Sequence, residues 1–130
     1  MEDDYQKYNS QYSVSYMSNS KWLRLFKAVA GSGIEVQRSE WHFIDSDNVL
    51  LYPMPQESQL MAERFKDGLF QPFEYKWIKS IFIPSSFKPT LGAGYTVQQD
   101  TAGVLSAIQR TGQFATELTE NGLWIHAYKK

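Results

Sequence analysis

The 130-residue sequence contains no cysteine, which excludes disulfide bonds, cysteine-ligated zinc and thiol catalysis. It also lacks any apolar run approaching the roughly 18 residues that a membrane-spanning helix needs. The N-terminal segment MEDDYQKYNSQY has neither the basic start nor the apolar centre of a secretory signal. We therefore expect a protein of the reducing cytoplasm, with no membrane partner.

A surplus of positive charge is missing as well. The chain has 13 Lys and Arg against 14 Asp and Glu, for a net charge of −1. Domains that bind nucleic acid through its phosphates usually carry a basic excess, and this sequence has no cluster of basic residues. We therefore expect no direct nucleic-acid partner.

Motifs that carry catalysis or cofactors are also lacking. The segment LGAGYT at 91–96 matches neither the phosphate-binding loop nor the dinucleotide-binding pattern. No nucleophile elbow of the type G-x-S-x-G occurs. The two histidines, His42 and His126, match no metal-binding motif, although they could form an acid/base couple or a partial metal site if their strands were neighbours. The sequence predicts a protein without cofactor or metal that is not an enzyme.

Aromatic residues, by contrast, are abundant: four Trp, eight Tyr and eight Phe. Such side chains fill cores, because each can bury on the order of 150–250 Å². They also serve as anchors at protein interfaces. Composition alone leaves both uses open.

Hydrophobic spacing predicts three or four helices. Trp22, Leu25, Phe26 and Val29 recur at helical spacing after a serine cap, which predicts a helix with this stripe buried. The glycines at 31 and 33 end it. Tyrosines at a similar spacing predict a helix near the N-terminus, and two further apolar stripes complete the set. The three additional helices cover 3–16, 56–67 and, after the capping residue Asp100, the segment up to Gly112.

Alternation of apolar and polar residues predicts about five strands. They cover 34–45 with a turn or bulge at 38–40, then 49–52, 73–84 and the two strands of a hairpin over 114–128 that turns at Glu120–Gly122. A turn is expected at 46–48. In the hairpin, Phe114, Leu118, Trp124 and Tyr128 are the expected inward-facing residues. Because strands and helices do not alternate strictly, we predict an α+β fold with a mostly antiparallel sheet. No linker or repeat divides the chain, so we expect one domain over 1–130, frayed over 1–15.

Four segments resemble a known group of proteins. Asn19, Ser20, Lys21 and Trp22 resemble the Asn-[Ser/Thr]-Lys-Trp helix that opens a group of small bacterial cytoplasmic domains of uncharacterised function. Residues 75–83 look like the central strand of that group. Residues 100–112 and 120–128 look like its final helix and hairpin, whereas 34–52 and 85–98 depart from its pattern.

Domains of this kind are similar to the immunity proteins of bacterial toxin systems, including contact-dependent growth inhibition. The resemblance implies a protein that binds one cognate toxin domain, frequently a nuclease, and covers its active site or substrate surface. Such a protein performs no chemistry of its own.

Five residues are the candidate partner-binding residues on this hypothesis. Glu40, Asp45 and Asp47 form an acidic group that could steer a partner, and Phe87 and Tyr95 lie in the irregular segment 85–98. Other uses of the acids remain open, since carboxylates at strand ends also bind cations, act as acids or bases, or are solvated turn residues. The alternative function is a small ligand-binding or hydrolytic domain that uses His42, His126 and nearby carboxylates.

Overall fold

A five-stranded antiparallel sheet forms the centre of the computed structural model, which describes residues 14–60, 64–65, 73–89 and 94–129. From one edge to the other, its strands are β3 (Ser46–Tyr52), β2 (Ser39–Phe43), β6 (Ile78–Pro84), β10 (Gly122–His126) and β9 (Ala115–Thr119). This confirms the predicted α+β class and the five-stranded antiparallel sheet.

Three two-stranded ribbons accompany the sheet. One ribbon joins the two ends of the described chain, since Val14 lies opposite Lys129 and Ser15 opposite Tyr128. The ribbons pair β1 (Val14–Ser15) with β11 (Tyr128–Lys129), β4 (Arg64–Phe65) with β5 (Phe73–Glu74), and β7 (Ser86–Phe87) with β8 (Val97–Gln98).

The first helix, α1 (Asn19–Gly31), forms as its sequence predicts. The Ser18 hydroxyl oxygen accepts a hydrogen bond from the Lys21 backbone N–H at 3.2 Å, which satisfies one of the free donors of the first turn. The chain leaves the helix through Gly33, whose φ of +80° is readily adopted only by glycine. The predicted stripe of Trp22, Leu25, Phe26 and Val29 is buried along its whole length.

The second helix, α2 (Thr101–Gln109), packs into the same core as α1. The Asp100 carboxylate caps it by accepting from the Gly103 N–H at 2.9 Å. Val104 and Ile108 are fully buried. Stacked rings connect α1 to the sheet, with centroids 5.3 Å apart for Trp22 and Phe26 and 5.6 Å apart for Phe26 and Trp41. Both helices therefore cover the side of the sheet to which Trp41 points.

The described residues contain two α-helices rather than three or four. The predicted helix over 56–67 is wrong where it is described: Glu57–Gln59 form one 3-10 turn, and Arg64–Phe65 form strand β4. Pro53 and Pro55 favour an extended backbone in the residues that lead into this segment. Leu60, which follows the 3-10 turn, is also extended. Of the predicted helix 3–16, residues 3–13 lie outside the described residues, and Val14–Ser15 are strand β1. At Val14–Ser15, pairing with strand β11 prevails over the helix that the tyrosine spacing predicts.

The predicted strands are mostly present, with shifted ends. Residues 34–38 have no regular structure, and the turn expected at 46–48 lies instead at Ile44–Asp45. In the segment 73–84, a 3-10 turn at Tyr75–Trp77 separates β5 from β6. As predicted, β6 is central, because it pairs with β2 on one side and β10 on the other.

The hairpin of β9 and β10 turns where predicted, and Phe114 and Tyr128 pack against the core as predicted, but the prediction that Trp124 faces inward is wrong. Leu123 and Ile125 are fully buried against the helices, whereas Leu118 is 46% exposed. Trp124 points away from the helices and is only half-buried. Both faces of β10 carry apolar residues, so the pattern of the strand alone does not distinguish them.

Candidate binding face

Neither helix covers the second side of the central sheet, which we call the open face. Residues paired directly across antiparallel strands point to the same side, so the register assigns its members. One row crosses all five strands, and a second row runs parallel to it across four. The first row is Leu51, Glu40, Phe82, Trp124 and Glu117, and the second is His42, Ser80, His126 and Ala115.

Trp124 is the centre of this face. Its ring centroid lies 4.7 Å from that of Phe82, 5.5 Å from that of His42 and 5.6 Å from that of His126. The indole and the His126 ring are nearly parallel, at 7°. Contact with His42 spans the intervening strand β6, where the small Ser80 leaves room for the rings. All four aromatic rings are half-buried, so they pack against one another and still reach solvent.

His42 contributes a polar atom without a partner. Its Nε2 is buried and makes no hydrogen bond in the described part of the chain. Burial lowers the pKa of the His42 imidazole below its usual 6.5. The Glu40 carboxylate opposes this by raising the pKa, and the Lys79 ammonium lowers it further. The neutral ring is therefore the favoured form, and His42 behaves as part of an aromatic surface.

The margins of the open face are apolar on one side and acidic on the other. Along the edge strand β3, Leu51 is 55% exposed, and Val49, in the irregular part of the pairing with β2, is 42% exposed. Glu117 on the opposite edge strand is exposed. Two carboxylates, those of Glu40 and Glu117, lie on either side of the Phe82–Trp124 pair. Exposed apolar groups, a half-buried aromatic centre and flanking charges are the ingredients of protein interfaces.

The structure separates the five predicted partner-binding residues. Glu40 lies on the open face beside Phe82. Asp45, in the β2–β3 turn, and Asp47, at the start of β3, are exposed roughly 15 Å further along the hairpin. The predicted acidic group of three is therefore divided between two places.

The two predicted aromatic anchors lie in the segment that contains the β7–β8 ribbon. The Arg38 guanidinium lies 4.5 Å above the centroid of Phe87, which is half-buried. Tyr95 is 65% exposed. Residues 90–93 of the predicted loop lie outside the described residues. Of the two aromatics, Tyr95 is the one whose ring is mostly available to a partner.

His42 and His126 do lie on one face, as their strands allow, but with Trp124 in contact with both. A direct acid/base couple needs hydrogen-bond contact, whereas strand β6 lies between the strands of the two histidines and separates their backbones by two strand spacings, roughly 10 Å. Among the described residues, no group of three or more His, Asp or Glu is placed to hold a metal ion.

Trp124 and Phe82 are the site residues that sequence reasoning missed. The relevant signal is in the sequence: β6 and β10 are apolar on both faces, although each strand can turn only one face towards the helices. The apolar residues on the face that the helices do not cover form the centre of the open face.

The chain matches no protein-family model, no curated protein and no solved structure. In the described ranges, no helix is long and apolar enough to cross a membrane.

Proposed function

We propose that this chain is an immunity protein that binds a cognate bacterial toxin domain through the open face and thereby covers the active site or substrate surface of the toxin. The observation that supports the proposal is the half-exposed cluster of Phe82, Trp124, His42 and His126 at the centre of a broad sheet surface. The motif resemblance supplies the class of partner.

The shape of the surface favours a protein partner over a small molecule. Small ligands bind in concave pockets that enclose most of their surface. The open face instead extends over five strands, which is roughly 19 Å from edge to edge. Aromatic residues at the centre of an interface carry much of its binding energy, and a charged rim improves specificity and association rate.

The absence of a catalytic arrangement on the open face fits inhibition by stoichiometric binding. A toxin that acts on cytoplasmic targets requires its inhibitor in the same compartment, so we place this protein in the cytoplasm. On this proposal it contacts the toxin and not the nucleic acid that the toxin cleaves.

Co-expression with the product of the gene immediately upstream tests the proposal. The expected result is a stable one-to-one complex and suppression of the toxicity of that product. Absence of both complex and protection would contradict the immunity function.

Substitutions on the open face test the proposed interface. Trp124→Ala should raise the dissociation constant of the toxin complex by roughly 30-fold or more, since truncating an aromatic anchor costs about 2 kcal/mol or more of binding free energy. Glu117→Lys, at an exposed position, should weaken binding without disturbing the core. Leu118→Ala is the matched control, because Leu118 is exposed on the adjacent position of β9 but belongs to the other side of the sheet.

Glu40 lies on the open face and Asp45 and Asp47 do not, so charge reversal at each of the three positions distinguishes direct contact from long-range attraction. If the open face is the interface, Glu40→Lys weakens binding more than Asp45→Lys or Asp47→Lys, which lie further along the hairpin. Equal effects of all three would instead support long-range steering by the whole acidic group. A complex unaffected by Trp124→Ala, Glu117→Lys and Glu40→Lys would place the interface elsewhere.

The contacts of both histidines with Trp124 favour one second candidate, a small ligand-binding domain. On this alternative, the wild-type chain forms no toxin complex. It binds a small ligand or a metal ion instead, and replacing His42 with Asn and His126 with Gln abolishes that binding. Unchanged protection by the double variant would exclude a histidine-dependent function.

A further inference from the structure

A cleft of about 480 Å³ opens between helices α1 and α2, which cover the side of the sheet opposite the open face. The helices run in opposite directions along it. The Arg24 guanidinium donates to the Thr111 carbonyl oxygen at 3.2 Å at one end, and Ile34 lies beside Gly103 at the other. Small residues line both walls and leave the space between them open: Ala28 and Gly31 on α1, Gly103 and Ala107 on α2.

Both charged residues that line the cleft are cations. Lys27 lines it from α1 and Arg110 from the end of α2, and both side chains are exposed. Within the described residues, neither of them forms an ion pair with a carboxylate. Arg24 adds a third positive charge at this end of the cleft, since its guanidinium contacts Thr111, the residue after Arg110.

The charge at this end of the cleft has no compensation from the helices themselves. Neither α1 nor α2 contains an acidic residue, although the whole chain has a net charge of −1. The Asp100 carboxylate lies at the opposite end of α2, where it accepts from the Gly103 N–H as a cap. Like charges on neighbouring positions oppose one another. An anion bound beside Lys27 and Arg110 would relieve this repulsion and stabilise the folded state.

Hydrogen-bond donors of three kinds line the same end of the cleft. The Ser106 hydroxyl is exposed one turn before Arg110 on α2, and the Lys27 ammonium lies on α1. The Thr111 hydroxyl donates to the Ile108 carbonyl oxygen at 2.8 Å, so the end of α2 is capped without the cationic side chains. Arginine binds phosphate through two parallel N–H bonds, and lysine binds it through a compact charge. A guanidinium, an ammonium and a hydroxyl together suit a phosphate group.

We propose that the cleft between α1 and α2 binds a small phosphate monoester, whose phosphate group contacts Lys27, Ser106 and Arg110. The cleft has the volume of a small-molecule site, roughly 300–1,000 Å³, and a phosphate ion fills only part of it. The remaining apolar space along Ala28 and Ala107 accommodates the organic part of the ligand. Only the packing of the two helices brings Lys27 and Arg110 together. The proposal is independent of the toxin partner.

Calorimetric titration of the chain with phenyl phosphate at fixed ionic strength tests the proposal. We expect one-to-one binding, and weaker binding of inorganic phosphate, which has no apolar part. Lys27→Gln and Arg110→Gln should each weaken the binding of phenyl phosphate by roughly tenfold or more, because each removes a charge-assisted contact. Lys88→Gln is the matched control, because it removes an exposed cation that does not line the cleft and should leave binding unchanged.

A variant that adds a carboxylate tests the position of the ligand. Gly31 lines the cleft, and a Cβ atom added there has no neighbour within 4 Å, so a side chain fits without a steric clash. Gly31→Glu should abolish the binding of phenyl phosphate, because the new carboxylate repels the phosphate and pairs with the cations. Gly31→Ala, which adds no charge, should retain it.

Other results would overturn the proposal. A wild-type chain that does not bind phenyl phosphate excludes the site. Binding that persists in both Lys27→Gln and Arg110→Gln uses another surface, provided that circular dichroism confirms the fold of both variants. An equal loss in Lys88→Gln shows an effect of overall charge. Binding to vesicles that contain phosphatidic acid, without binding of phenyl phosphate, assigns the cations to a lipid surface instead of a small molecule.

Discussion

At the scale of single residues, His42 is a titratable ring in a position where burial opposes its charged form. Its pKa in the folded protein is lowered chiefly by burial, with Glu40 opposing the change and Lys79 adding to it. Protonation would also place a second donor on a ring whose Nε2 has no partner among the described residues. The folded state therefore takes up this proton less readily than the unfolded state does.

This difference predicts that the free energy of unfolding falls as the pH drops below about 6.5, the ordinary pKa of histidine, because the unfolded chain then binds more protons. The loss continues as the pH falls through the lowered pKa of the folded state. Urea denaturation between about pH 7.5 and pH 5 measures the slope.

Two ring-preserving variants identify the responsible histidine. His42→Phe keeps a ring against Trp124 and should reduce the slope, whereas His126→Phe, on the other side of Trp124, retains the His42 contribution. A wild-type slope in His42→Phe would show that other groups cause the pH dependence.

Gln99 is a second residue whose role depends on its surroundings. It is 8% exposed, and its side chain contacts backbone groups from two distant segments. Its Oε1 accepts from the N–H groups of Gln37 at 2.8 Å and Arg38 at 3.1 Å. Its Nε2 donates to the carbonyl oxygens of Arg38 at 3.0 Å and Pro84 at 2.8 Å. One amide thus holds the irregular approach to β2 against the end of β6.

Gln99→Leu should lower the free energy of unfolding by about 2–3 kcal/mol, because it removes all four bonds and leaves one buried and three partly buried backbone groups without these partners. The neighbouring Gln98 is exposed, so Gln98→Leu should change stability by less than about 0.5 kcal/mol. Chemical denaturation of both variants measures the difference. Equal stabilities would contradict the proposed bracing role.

At the scale of elements, the β9–β10 hairpin depends on a close contact at its first paired residue. The Phe82 ring lies over Gly122, and a Cβ atom added there would approach the ring carbons to 2.7 and 2.9 Å and would also meet the Ile83 carbonyl oxygen. Contacts this short force a shift of the ring or of the backbone. The arrangement connects the Asn-Gly turn, which is recognisable in the sequence, to the aromatic cluster, which is not.

Gly122→Ala should therefore destabilise the fold by about 1–3 kcal/mol, as expected for overpacking. Gly112→Ala is the matched control, since its added Cβ would have no neighbour nearer than 3.6 Å. Thermal unfolding of the two variants measures the contrast. If both behave alike, the Phe82 ring and the backbone at Ile83 shift at little cost and the contacts do not constrain the hairpin.

Elements with strong end signals were predictable from the sequence. Helix α1 has a serine cap, an unbroken apolar stripe and a glycine stop, and all three signals agree with the structure. The segment 56–67 has apolar residues at helical spacing but follows two prolines. Its described residues form a 3-10 turn and a short strand instead. A stripe predicts a helix only when the core offers it a surface, and tertiary packing overrides a weak local preference.

At the scale of the whole molecule, the fold places its two apolar surfaces on opposite sides of one sheet. On the helix side, Phe26 joins Trp22, Trp41 and Tyr75 in a continuous set of ring contacts. On the open face, Trp124 joins Phe82, His42 and His126. The high aromatic content therefore serves both uses that composition left open: a filled core and a candidate recognition surface.

The sequence by itself determined the α+β class, the capped helix with Trp22 in the core, the central position of β6 and the turn at Glu120–Gly122. Each depends on residues close together in the chain, whose periodicity and turn preferences act locally. Only the tertiary structure decided which face of β10 is covered, because residues 123–125 are apolar on both sides and only packing against the helices distinguishes the two faces. Strand register, which is set by long-range pairing, brought Trp124, His42 and His126 together and separated Glu40 from Asp45 and Asp47.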